Sequence, residues 1–264
     1  SSREIVLRHV APRLAKGSMP FCVATSNAIV AECEVLNLTP PSKIGTGICF
    51  LDHMVDQLTS HGQLGVTLRC GVVGAGKSSA SPGGKRGAPD ASTAYFAPLR
   101  DYATGMAERV HDRDIFIACG RALGEALRKV AAEVLEASSA APNGSHAASA
   151  LFCCPLDESF AEARIDLRPP ASRAGRCDLQ LAPYGTFAAG GVGGKAGAGG
   201  RQWIGRYRTE LTPLFWEGVA SGLQADVSLI KVRGANAHHI LEATFKSFAR
   251  AYRAALDRAA TGLP

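Results

Sequence analysis

Apolar side chains at Ile240, Leu241, Phe245, Phe248, Ala249 and Tyr252 recur three and four residues apart, so the stretch Gly234–Arg253 predicts an amphipathic helix beginning near His238. The same period, carried by Phe50, Leu51, Met54, Val55 and Leu58, predicts a helix over Thr46–His61. A third helix spans 107–132, with Ile115, Ile117, Ala118, Leu123, Ala126 and Leu127 on its inner side, and a shorter one covers Leu214–Ala220. Elsewhere the pattern is β-prone and partly alternating. Phe21–Leu38 reads as one long strand or a hairpin, and strands are expected over Val66–Cys70, Ala150–Glu158, Ala161–Leu167 and Ala225–Val232.

The order of these elements repeats. Asp52-His53-Met54 stands before Val66-Thr67-Leu68 at the spacing by which Pro213-Leu214-Phe215 precedes Val227-Ser228-Leu229, and in both halves a long helix follows. Two tandem strand-and-helix units predict an α+β fold of two-layer sandwiches, helices on one side of antiparallel sheets. The small-residue stretch Ser138–Ser149 divides the chain into halves 21–137 and 138–264, behind a basic segment 1–20. Each half carries an insertion, a basic one at 74–92 and a glycine- and alanine-rich one at 190–200.

Composition narrows the classes. At 264 residues the chain can bury a sizeable core, and no run approaches the ~18 apolar residues of a membrane span. The net charge of +6 suits a phosphate-bearing partner such as RNA without requiring one. None of the eight cysteines forms a Cys-x-x-Cys pair, which predicts buried reduced thiols and an intracellular, reducing compartment. Arg3, Arg8, Arg13 and Lys16 resemble the remnant of an organellar presequence, with the mitochondrion as the expected organelle. Gly71–Ser78 matches the phosphate-loop pattern, but Pro82-Gly83-Gly84 deny the helix that such a loop needs directly after its lysine.

Candidate chemistry gathers at helix starts. His238 and Glu242 are four apart and His239 and Glu242 three apart, which sets imidazole beside carboxylate as a zinc or manganese site requires. Surface histidines on a helix capped by Asn236 would show the same spacing. His111 and Asp114 form a weaker pair, Asp52 and His53 lie in a first turn, and Asp157-Glu158 ends a strand.

Three stretches, Thr46-Gly-Ile-Cys-Phe-Leu-Asp-His-Met54, Pro155-Leu-Asp-Glu158 and Gly234-Ala-Asn-Ala-His-His-Ile-Leu-Glu-Ala-Thr-Phe-Lys246, together resemble the imidazoleglycerol-phosphate dehydratase family of histidine biosynthesis. The resemblance covers roughly residues 21 to 258. It implies a duplicated βα fold of the ribosomal-protein domain-2 type, a symmetric homo-oligomer, and two manganese ions held by two His-His-x-x-Glu helices. It further implies that the substrate's imidazole ring binds the metals as an imidazolate before water leaves the glycerol side chain. On that mapping His53, His238, His239 and Glu242 are metal ligands, Asp157 and Glu158 the catalytic acids, and Lys246 a phosphate contact.

The first helix departs from the family. Where the pattern has His-His-x-x-Glu-Asp, this chain has Arg109-Val-His-Asp-Arg-Asp114, so that only Asp114 aligns; Leu214 and Leu229 stand at further histidine positions. The expectation is therefore a catalytically degenerate member kept as a binding or structural subunit of a larger assembly, holding no metal or a single divalent ion. Two alternatives stand beside it. One is an active manganese lyase whose rearranged site adds His111 and Asp114, and the other is a phosphate-loop nucleotide binder using Lys77.

Overall fold

Asn27 adopts a left-handed backbone, φ 49°, and turns the segment 22–38 back on itself. The result is a hairpin of β1 (Cys22–Ser26) and β2 (Ile29–Asn37), with Cys22 opposite Cys33. The computed structural model describes residues 22–73, 96–98, 112–139, 148–167, 175–185 and 200–261. The phosphate-loop lysine, most of both insertions, residues 1–20 and His111 lie outside them.

β4 (Gly65–Val73) pairs antiparallel with β2 on one edge; on the other it takes β3 (Lys43–Gly45) in parallel and β5 (Phe96–Pro98) antiparallel. The second half rebuilds this plan. β6 (Ser149–Leu156) and β7 (Ser159–Asp166) form a hairpin whose turn residue Asp157 has φ 48°. β11 (Asp226–Arg233) then pairs antiparallel with β7 and parallel with β8 (Cys177–Gln180). The sheets therefore run β1-β2-β4-β3 and β6-β7-β11-β8. The helices repeat too: α1 (Cys49–Gly62) and α3 (Thr212–Leu223) both end on a glutamine, Gln63 and Gln224, with φ 55°. The duplication expected from the spacing is present in the backbone.

The two long helices, α2 (Asp112–Ser139) and α4 (Ala237–Thr261), cover one sheet each, α2 lying on β1 and β2 and α4 on β6 and β7. The short helices cross over. α1 packs along α4 and α3 along α2, so a single hydrophobic core joins the helical layers of both halves. Phe215, Trp216, Phe245 and Phe248 fill its centre with all four side chains buried, the Trp216 and Phe245 rings 4.6 Å apart. α2 and α3 meet through glycines. A Cβ on Gly120, Gly124 or Gly222 would run into the facing helix backbone, which sets how near the two helices come.

A two-stranded hairpin, β9 (Trp203–Ile204) and β10 (Tyr207–Arg208), leads into α3 and buries Tyr207 against Phe50 of α1 and Phe116 of α2. All eight cysteines are free; Cys22, Cys33, Cys70 and Cys119 are buried as expected, but Cys49 is exposed and Cys153, Cys154 and Cys177 are half-buried, and no described helix is long and apolar enough to cross a membrane.

Candidate metal centre

Asn236 fixes where α4 begins. Its side-chain oxygen accepts the backbone N–H of His238 at 2.9 Å, and its carbonyl accepts that of Ile240 at 2.9 Å. With the helix pinned there, His238 and Glu242 share one face, and His238 Nε2 lies 3.0 Å from Glu242 Oε2. α1 crosses at this level and brings His53 Nε2 to 3.8 Å from the same oxygen. The two imidazole rings are 5.8 Å apart and nearly perpendicular. Potential ligand atoms of His53, His238 and Glu242 all lie within 4.8 Å of one another, the one such group among the described residues. Donors at ~2.0–2.2 Å from an ion stand roughly 3–4.4 Å from each other, so these three fit around a divalent cation with little movement. Two imidazoles and one carboxylate suit zinc or manganese.

The other Glu242 oxygen is engaged as well. Lys246 Nζ donates to Oε1 at 2.7 Å, one helical turn further along α4. Burial alone would raise the Glu242 carboxyl, but the Lys246 hydrogen bond and charge, with His53 and His238, outweigh it and hold its pKa below the ordinary carboxylate value. Phe50 sets its ring edge-on to His238 at 4.9 Å and to Tyr207 at 5.0 Å, closing one side of the cluster with hydrocarbon.

His239 faces a different partner. Its Nδ1 is 2.7 Å from Glu158 Oε2, and its Nε2 is 3.5 Å from Asp157 Oδ2. Glu158 Oε1 accepts the N–H groups of Ala235 and Asn236, at 3.2 and 2.8 Å, and the Ser159 hydroxyl at 3.0 Å. The His239 contact and these donors hold the Glu158 carboxyl far below its ordinary value. The β6–β7 turn is thereby tied to the start of α4.

The remaining candidates fall elsewhere. Asp52 turns away from the cluster and accepts the Thr46 N–H and hydroxyl, at 2.7 and 2.5 Å, bracing the loop that enters α1. Asp114 accepts Ser26 Oγ at 2.6 Å and Asn27 Nδ2 at 2.8 Å, tying the β1–β2 turn to the start of α2. Its neighbour Asp112, 1% exposed, is held by Arg206 of the β9–β10 hairpin at 2.7 Å. No local spacing signals that last pair, since its members lie far apart in the chain.

Comparing the duplicated helix pairs shows what α3 and α2 lack. Leu214 stands in α3 where His53 stands in α1. Asp114 meets the β1–β2 turn as His239 meets the β6–β7 turn, which places Arg113 and Ile117 where His238 and Glu242 stand. Ungapped sequence alignment puts Arg113 at the glutamate position instead. In either register a cation and hydrocarbon replace ligands.

The family model for imidazoleglycerol-phosphate dehydratase matches residues 106–252. The chain belongs to that family. It is 30% identical to the imidazoleglycerol-phosphate dehydratase of Anaeromyxobacter sp. (strain K), over 96% of this chain and 93% of that protein. It is 31% identical to the enzyme of Anaeromyxobacter dehalogenans (strain 2CP-1 / ATCC BAA-258), again over 96% and 93%. The crystal structure of the Staphylococcus aureus dehydratase superposes with a TM-score of 0.53 at 18% identity, covering 88% of this chain and 96% of that one. The dehydratase of Pyrococcus furiosus in complex with (S)-C348 gives 0.52 at 18% identity, over 88% and 90%. These structures carry the same duplicated fold.

Proposed function

We propose that this dehydratase-family chain holds one divalent cation, manganese or zinc, between His53, His238 and Glu242, and that it no longer dehydrates imidazoleglycerol phosphate. The observation that carries this reading is the asymmetry of the duplication. The α1–α4 pair assembles three ligands, whereas in the duplicated α3–α2 pair Leu214 stands in place of His53 and Arg113 falls at a ligand position in either register. Manganese lies at the weak end of the divalent series and needs most of its ligands, and hydrocarbon and a guanidinium offer none. An ion bound at the surviving cluster would supply Lewis-acid character and a fixed positive charge. The chain's own part is to orient two imidazoles and one carboxylate against the Phe50 wall, with His239 and Glu158 bracing the helix start.

On this reading the protein serves as a binding or structural subunit of a larger assembly, and its +6 charge suits a partner that carries phosphate, RNA among them. The relatives' names favour a second reading, an active manganese-dependent dehydratase. That requires the missing ligands to come from His111 or from another copy of the chain. An assay with manganese and imidazoleglycerol phosphate separates the two. The proposal expects no turnover above the His238→Ala background, and turnover abolished by His238→Ala would refute it.

A further inference from the structure

We infer that Lys246 is the positioning residue of the cation site, holding Glu242 by one oxygen so that the other faces His53 and His238; this rests on the single-ion reading above. The geometry is specific. Lys246 Nζ donates to Oε1 at 2.7 Å, while Oε2 lies 3.0 Å from His238 Nε2 and 3.8 Å from His53 Nε2. The lysine and glutamate side chains are 14% and 13% exposed, so water competes weakly for either end of the bond. Left to itself, Glu242 could rotate to present either oxygen or both. Lys246 selects one orientation, as an outer partner does for a ligating carboxylate.

Charge and orientation push in opposite directions here, which makes the role testable. An ammonium close to an incoming dication repels it, so a lysine acting through charge alone weakens cation binding, and its removal tightens it. A lysine acting through orientation strengthens binding, and its removal weakens it by about 10–100-fold. Glutamine at this position keeps an N–H donor one helical turn from Glu242 and discards the charge.

The experiment titrates Zn²⁺ into the full chain by calorimetry for wild type, Lys246→Met, Lys246→Gln and His238→Ala, with circular dichroism confirming that each is folded. The expected result is a loss of about 10–100-fold for Lys246→Met and wild-type or tighter binding for Lys246→Gln. Wild-type or tighter binding by Lys246→Met overturns the positioning role while leaving the ion site intact. Wild-type binding by His238→Ala, or no binding by wild type, overturns the single-ion reading and the inference with it.

Discussion

Asp112 is the most exacting charge in the first half of the molecule: its carboxylate is buried at the first residue of α2, one oxygen is bound by Arg206, and the other has no hydrogen-bond partner among the described residues. A buried carboxylate stays charged only while a cation compensates it, so removing one member of such a pair is far more damaging than removing both. Arg206→Met is therefore expected to destabilise the protein by about 3 kcal/mol, and Asp112→Leu combined with Arg206→Met to recover much of the loss. Chemical denaturation of the two variants measures this. Equal stability of single and double variants would show that the pair contributes nothing to the fold.

Among the helices, α2 and α3 form the tightest crossing, because glycines let one backbone lie on the other. Gly124 faces the carbonyl of Val219 and the N–H of Leu223, and Gly222 faces the backbone of Arg121 and Glu125. Alanine in a helix gains about 1 kcal/mol over glycine, but a methyl group pressed on a rigid backbone costs about 1–3 kcal/mol and cannot turn aside. The pair Gly124→Ala and Gly222→Ala together should lower the melting temperature by several degrees; a rise would mean that the helices are free to separate. α1 and α4 cross differently, with the side chains of His53 and Glu242 at their interface.

At the scale of the whole molecule, the duplication and most of the elements were legible from periodicity, since helix and strand periods follow directly from which face is buried. Boundaries were less so: α2 runs to Ser139 rather than 132 because Val134 and Ser138 continue its buried stripe past the point where the apolar pattern thins. The site was legible where its members share a helix. His238, Glu242 and Lys246 stand four residues apart, and that spacing alone brings each against the next. His53 reached the cluster through family resemblance, since only tertiary packing of α1 on α4 places it there. The same spacing logic grouped His239 with Glu242, whereas the β6–β7 turn claims His239 through Glu158. The Asp112–Arg206 pair and the burial of Tyr207 were invisible, because they depend on a hairpin folding across residues remote in sequence.

The central claim is that one of two duplicated helix pairs, α1 with α4, keeps a cation site and the other, α3 with α2, has lost it. Elemental analysis of the purified full chain after equilibration with manganese or zinc and removal of free metal tests it most directly. The account predicts one ion per chain, absent from His53→Ala, His238→Ala and Glu242→Gln; two ions per chain, or one ion unaffected by those substitutions, would contradict it.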